Sequence, residues 1–404
     1  MTGLILLTRI DQLYPFINLQ CINRIIFKIN QFMSIIRIMK SDSNLNKTQK
    51  LDIFKQVGEE IVSINELELL IDSGKQMIAY DGFEPSGRIH LPQGIVRTIN
   101  INKLLKTGVK FKMLVADWHG WANHKMGGDL GKIKLVGEYF IEVWKACGLN
   151  VDEIDFVWAT DLVKKEGYWE TVMKIAITKN LPRIIRTVEI MGREESDSLT
   201  ASQIIYPLMQ ATDIFMLEAN ITQLGMDQRK VNMLAREVAE ELGYPKPIVV
   251  SHHMMLGLLP PTEKSTDESA VDRSIRLKMS KSKPDSAIFM TDTYEDIKRK
   301  ITKAWCPEGI AFENPVLEYC KYVVFEKEKQ MLIKRPSKFG GDVSFSNYIE
   351  LEKAYTDKLL FPLDLKNSLV EYINNYIEPV RKHFEENGYA NKLKKEVESF
   401  QVTR

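Results

Sequence analysis

Between residues 76 and 158, apolar runs of strand length alternate with amphipathic stretches of helix length, and that alternation leaves the chain few architectures. The runs 76–80, 111–116 and 154–158 read as buried strands. The stretch 135–147 repeats apolar residues every three or four positions and meets Gly148, which reads as a helix with its stop. Strand and helix in turn predict crossover units and an α/β fold built on a doubly wound parallel sheet. Ligands of such a sheet sit where strand C-termini face helix N-termini, so the chemistry is expected just after the strands.

Past residue 295 the pattern changes. The stretches 296–305, 346–359 and 365–384 are helical in period, with Leu365, Leu369, Ile373, Ile377 and Val380 recurring along the last. An all-α C-terminal domain over 295–404 is expected, with no further strands, after a catalytic domain over 42–294. The segment 259–269 is polar and carries Pro260 and Pro261, so it reads as a surface loop between the halves. Residues 1–41 stand apart: they carry Arg9, Arg24, Lys28, Arg37 and Lys40 against the single acid Asp11. Two readings fit that bias, an organellar presequence or an extension upstream of a start at Met33 or Met39.

Composition removes some function classes. No apolar run approaches the roughly 20 residues a membrane span needs. The net charge of +1 means that a nucleic-acid partner must be held by a local basic face, not by the field of the whole molecule. Cys21, Cys147, Cys306 and Cys320 are scattered without C-x-x-C spacing, and His119, His124, His252 and His253 lack the spacing of a helical zinc pair, so no metal site is expected. Scattered thiols fit a reducing compartment such as the cytoplasm, while residues 1–41 leave an organelle open.

Two motifs carry phosphate chemistry. The first, Tyr80-Asp-Gly-Phe-Glu-Pro-Ser-Gly-Arg-Ile-His90, follows the first predicted strand and opens a helix. Gly82 and Gly87 let backbone approach a phosphate, the helix start offers free N–H groups, and His90 can donate to a phosphate oxygen. The second, Lys278-Met-Ser-Lys281-Ser-Lys283, is a cationic clamp suited to charge building on a leaving pyrophosphate. Alone, each also reads as a plain turn or a solvated basic loop; together they place two phosphate elements on one sheet edge. Between them, Tyr206, Gln210 and Asp213 fall at helical spacing on one face, three polar groups where an apolar stripe is usual.

His90 with its Pro-Ser-Gly approach, paired with Lys-Met-Ser-Lys-Ser, resembles the HIGH and KMSKS signatures of class I aminoacyl-tRNA synthetases, whose catalytic domain is Rossmann-like. Tyr206-Pro-Leu-Met-Gln210-Ala-Thr-Asp213, Gly225-Met-Asp227-Gln228-Arg-Lys, Lys338-Phe-Gly-Gly-Asp342 and Phe361-Pro-Leu-Asp-Leu-Lys-Asn367 resemble the archaeal and eukaryotic tyrosyl branch, over roughly residues 50–398 in the family's order. The resemblance implies a ligase that joins L-tyrosine to ATP as tyrosyl-adenylate, with Mg2+ accompanying the nucleotide, and passes tyrosine to the 3′-terminal adenosine of tRNA(Tyr). It implies a homodimer as well.

By the same resemblance, Tyr80 and Asp213 hold the tyrosine hydroxyl, while Tyr206, Gln210 and Gln228 hold its ammonium. ATP is met by Gly82, Ser86, Gly87, His90, Gln93, Gly94, Gly225, Asp227, Met279 and Lys281, with His90, Lys278 and Lys281 acting on the reacting phosphates. Phe339 and Asp364 read the first anticodon base by stacking and by accepting from guanine. One departure stands out: Pro92 and Gln93 replace the Gly and second His of the HIGH pattern, so less phosphate stabilisation is expected from Gln93 than from His90. The sister tryptophanyl enzymes share both signatures, but a carboxylate such as Asp213 aimed into the side-chain pocket suits a phenol.

Overall fold

The computed structural model describes residues 45–192, 198–262, 270–279 and 283–400. The readings made for residues 1–41 and for most of the 259–269 loop fall outside them. Six strands form the main sheet: β1 (Glu60–Val62), β2 (Ile78–Phe83), β3 (Lys110–Val115), β4 (Ile154–Trp158), β5 (Ile221–Thr222) and β6 (Ile248–Ser251). Their order is β1-β6-β5-β2-β3-β4, parallel throughout except for β1, which runs antiparallel to β6 at the edge.

The chain lays β2, β3 and β4 to one side, then returns to place β5 and β6 on the other side of β2. Connections thus leave β2 and β5 in opposite directions. Ala79 and Tyr80 of β2 pair with Ile221 and Thr222 of β5, and a crevice opens over the C-terminal ends of the two strands, the expected place for a ligand. Successive β2 side chains go to opposite faces: Ala79 joins one buried apolar cluster and Tyr80 the other. Helices cover both faces, as a doubly wound sheet requires.

The helices that matter to the site are α1 (Arg97–Leu105), α2 (Asp117–Ala122), α3 (Leu130–Ala146), α4 (Tyr168–Thr178), α5 (Ala201–Met216), α6 (Arg229–Ala239) and α7 (Ala270–Leu277). The α3 helix starts where the Asp129 side chain accepts from the Lys132 N–H and ends before Gly148, whose φ is +82°. It crosses the sheet so closely at Gly137 that an added Cβ would lie 2.7 Å from both Trp158 and Val115. Gly137→Ala should therefore cost about 1–3 kcal/mol of stability, read as a lower denaturation midpoint at unchanged slope. An unchanged midpoint would mean that the helix can lift from the sheet freely.

The C-terminal region is helical, as expected, with α8 (Tyr294–Lys303), α9 (Pro362–Glu386) and α10 (Gly388–Ser399). The apolar stripe of α9 is buried at Leu365, Leu369, Ile373, Ile377 and Val380. The expectation of no strands past 295 needs correction: β7 (Met331–Ile333) and β8 (Val343–Phe345) form a two-stranded ribbon. Three residues a strand are too short to show a period. The α10 helix turns back onto α3, where the Tyr389 hydroxyl donates to Glu138 at 2.6 Å. The apolar residues on one face of the main sheet and those of the C-terminal helices form one continuous buried cluster. Among the described residues no helix is long and apolar enough to cross a membrane.

Candidate active site

A cavity of about 280 Å³ opens over the ends of β2 and β5. Its closed end is built by α5, whose buried face presents Tyr206, Gln210 and Asp213 inward, opposite Tyr80 of β2. A carboxylate with no exposure, as Asp213 has, needs partners. The Tyr168 hydroxyl donates to its Oδ1 at 2.8 Å, and His119 Nε2 lies 2.9 Å from its Oδ2. Two carboxylate oxygens offer about four lone-pair positions, so a further donor can be accepted. Burial alone would lower the His119 pKa; the facing Asp213 outweighs it and holds the imidazole above its ordinary value.

Burial, then the nearby carboxylates of Asp213 and Asp81, keep the Tyr80 phenol protonated far past its usual range. Its buried hydroxyl faces Gln210 and Asp213 without a well-directed bond to either. Gln228 donates Nε2 to the Ile190 carbonyl at 3.0 Å and accepts from Gln210 Nε2 at 3.0 Å, which leaves Oε1 as the acceptor of the Gln210 amide. Tyr206 stands edge-on to His119 with ring centres 4.9 Å apart.

The mouth holds His90 of the first motif and the described start of the second, Lys278 and Met279. His90 forms an antiparallel bridge with Phe289, Leu91 N–H donates to the Ile288 carbonyl at 2.8 Å, and Met290 N–H donates to the Ile89 carbonyl at 3.0 Å. The first motif is therefore stitched to the segment that follows the second. Arg88 strengthens the seam, 2.7 Å from Asp292 and stacked 4.4 Å over Phe289. Lys278 and Met279 enter the same cavity as His90, and Lys278 Nζ lies 2.6 Å from Asp227 Oδ2. A Cβ on Gly225 would fall 2.6 Å from Asp227 Oδ1 and 2.5 Å from Met254 Sδ, so a side chain there would push both of those ends aside.

Ser86, Gln93 and Gln228 also line the cavity. Gly82 does too, but its N–H donates to its neighbour Asp81 at 2.8 Å and is not offered to a phosphate. Gly87 and Gly94 do not form the wall. Gly87 takes a left-handed turn at φ +101°, and Gly94 packs behind the wall, where a Cβ would meet Met290 at 2.7 Å. Lys281, with Ser280 and Ser282, lies outside the described residues. Phe339 is 60 % exposed on a C-terminal turn, under Lys338 Nζ at 4.9 Å. That turn is fastened on both sides of Asp364, by Arg335 to the Leu359 carbonyl and by Lys334 N–H to Ser368 Oγ.

Several groups here escaped the sequence patterns. In the sequence His119, His252 and His253 enter only as possible metal ligands, and Tyr168, Asp81 and Arg97 carry no role. The position of His119 just after β3 was the one available signal.

The sequence profile of the class I tRNA synthetases (W and Y) matches residues 72–378. A cytoplasmic tyrosine–tRNA ligase of Arabidopsis thaliana is 44% identical over 88% of this chain and 90% of its own. A tyrosine–tRNA ligase of Saccharolobus islandicus is 41% identical over 83% of this chain and 94% of its own. The chain belongs to the tyrosyl-tRNA synthetases of archaeal and eukaryotic type. Like them it is an aminoacyl-tRNA ligase. A Pyrococcus horikoshii tyrosyl-tRNA synthetase solved with L-tyrosine superposes with a TM-score of 0.81, at 35% identity, over 87% of this chain and all of that one.

One wall of this synthetase carries a pH-sensitive strut. His253 bridges Glu59 and Glu318, both at 3.1 Å, and stacks on Tyr322 at 4.4 Å. Burial works against its charge, but the hydrogen-bonded carboxylates of Glu318 and Glu59 prevail and raise its pKa to about 9. A raised pKa gives stability that is complete below the unfolded value of about 6.5 and is lost as pH climbs through the folded value. Between those limits about 3 kcal/mol should disappear. Denaturation of His253→Gln should show that much less decline over the interval; an identical decline would contradict the strut.

Proposed function

We propose that this cavity is where the synthetase activates tyrosine, with the phenol at the closed end and ATP at the mouth. The observation that carries the reading is Asp213: a buried carboxylate with room for one more donor, facing a tyrosine hydroxyl, in the same cavity as His90 and Lys278. Asp213 and Tyr80 take the substrate hydroxyl. Gln210, Gln228 and Tyr206 take the ammonium, as acceptors the amides and phenol can supply.

The substrate carboxylate attacks the α-phosphorus of ATP; the bond to the bridging oxygen breaks and pyrophosphate leaves. No protein nucleophile is needed, so rate comes from holding the carboxylate in line and from balancing charge. His90, Lys278 and Lys281 do the balancing, and the Mg2+ that accompanies ATP shares the load. Lys278 starts paired with Asp227, and an arriving nucleotide has to separate them: Asp227 turns to the ribose beside Gly225, and the lysine turns to phosphate. Ser86, Gln93 and Met279 border the nucleotide, while Gly82, Gly87 and Gly94 shape the turn beneath it. A terminal hydroxyl of tRNA(Tyr) then attacks the mixed anhydride carbonyl and releases AMP.

Phe339 and Asp364 meet the first anticodon base, in a helical domain taken to begin near residue 295. A second copy of the chain covers the apolar face formed by Trp121, Trp169, Met173, Ile177 and Leu181, all exposed, with Trp118 packed between the two tryptophans at 5.4 and 6.1 Å. Trp169→Glu should convert a dimer to a monomer by light scattering; a wild-type monomer would contradict the pairing. The cytoplasm is the proposed compartment.

Exchange of labelled pyrophosphate into ATP tests the activity. Exchange that requires tyrosine and is not supported by tryptophan is expected; exchange with tryptophan, or none, would overturn the assignment.

A further inference from the structure

Beneath the mouth of the cavity lies a chain of polar groups that the proposed reaction has not used. Asp81, at the end of β2, and Arg97, at the start of α1, are both almost wholly buried, with Arg97 Nη2 2.6 Å from Asp81 Oδ2. Asp81 also accepts from the Gly82 N–H, so burial raises its pKa only to about 6, with Arg97 as the main restraint. Arg97 reaches further. Its Nη2 donates to the Gln223 carbonyl at 3.2 Å, and its Nη1 lies 3.1 Å from Nδ1 of His252.

That last contact fixes a tautomer. A guanidinium has donors only, so the nitrogen it meets must offer a lone pair. Nδ1 is therefore unprotonated, and the ring proton sits on Nε2. Burial, the Arg97 charge and then His253 hold the His252 pKa well below its ordinary value, so the ring stays neutral. The backbone is held as firmly: His252 N–H donates to the Leu224 carbonyl at 2.9 Å, its carbonyl accepts from Met226 N–H at 3.1 Å, and it bridges Gly225 in parallel register.

Nε2 of His252 is 3.4 Å from the point where a side chain on Gly225 would begin, and Asp227 Oδ1 is 2.6 Å from that same point. All three residues line the cavity. A lasting donor and a lasting acceptor thus flank the space above a glycine, which the flexible thioether end of Met254 also borders at 2.5 Å. A vicinal diol needs that pair: one hydroxyl gives a proton to a carboxylate, and the other accepts one through its oxygen. We propose that His252 is a nucleoside-binding residue, a neutral imidazole that donates Nε2–H to a ribose hydroxyl oxygen, held in that form by Arg97 and Asp81. This rests on ATP activation in the cavity, and adds to it a ribose contact and the buried pair that positions it.

The test is tyrosine-dependent pyrophosphate exchange with ATP, 2′-deoxy-ATP and 3′-deoxy-ATP, for the wild type, His252→Leu and His252→Gln. The wild type should prefer ATP to at least one deoxynucleotide. His252→Leu should lose about three- to tenfold in kcat/KM for ATP, the worth of a neutral hydrogen bond. It should lose nothing more with that deoxynucleotide, and its KM for tyrosine should not move. His252→Gln, which keeps a neutral donor, should recover part of the loss, and it carries the comparison if the leucine variant does not fold. Equal losses on all three nucleotides, no loss on ATP, or a wild type indifferent to both deoxynucleotides would overturn the contact while leaving ATP activation intact. A wild type without any tyrosine-dependent exchange would overturn the activity, and the contact with it.

Discussion

Asparagine in place of Asp213 is expected to remove most of the preference for tyrosine over phenylalanine while changing the slow activation of phenylalanine little. The carboxylate accepts from Tyr168, has His119 Nε2 2.9 Å from its other oxygen, and has a position left for the substrate phenol. An amide of the same shape has one acceptor oxygen and brings its own N–H donors, so at least one of three buried donors loses its partner. Each such loss costs about 1–3 kcal/mol, more where a charge is involved. A fall of roughly 10²- to 10³-fold in kcat/KM for tyrosine follows. Rejection of phenylalanine by about 10⁵ is the figure known for tyrosyl-tRNA synthetases, not one obtained from these distances, and it should shrink by that same fall. The variant should also be less stable, because His119 then faces a neutral group. Pyrophosphate exchange with each amino acid in parallel measures the ratio. A ratio that stays near the wild-type value would mean the phenol is gripped elsewhere.

The second large effect concerns the rate of adenylate formation. Lys281→Ala should lower the single-turnover rate about 10²- to 10³-fold, the usual consequence of losing one group aimed at transition-state charge. Tyrosine affinity should hardly move, because the lysine meets charge that develops only as pyrophosphate departs. Rapid-quench measurement of the first turnover separates the two quantities. An unchanged rate would refute the clamp role, and an equal weakening of tyrosine binding would recast Lys281 as a general support of the cavity.

The doubly wound architecture was legible because β2 and β3 are largely buried on both faces and, with the half-buried β4, read as apolar runs. The edge and return strands were not. β5 has two residues and β1 three, and such lengths carry no period; they are strands because β2 and β6 stand ready to pair with them. The ribbon of β7 and β8 escaped for the same reason. On α9 the apolar stripe persists over many turns, and the helix was found close to its true extent.

The site shows a similar division. Tyr206, Gln210 and Asp213 could be grouped from the sequence because helical spacing is local, and the structure places all three on the cavity wall. His90 and Lys278 could be brought together by arguing that both follow strands of one sheet. The partners that set the chemistry of these residues could not. Arg97 and His252 are 155 residues apart, and Tyr168 and Asp213 are 45 apart. A buried carboxylate announces that it needs partners, but only the folded chain says which.

The central claim is that the phenol of tyrosine lies against Asp213 while its carboxylate meets nucleotide phosphate at the mouth. A crystal structure with a non-hydrolysable tyrosyl-adenylate analogue tests it most directly. The account predicts the phenol oxygen within hydrogen-bonding distance of Asp213 and Tyr80, with the ribose above Gly225. An analogue bound with its phenol toward solvent, or with its adenosine in the closed end, would contradict it.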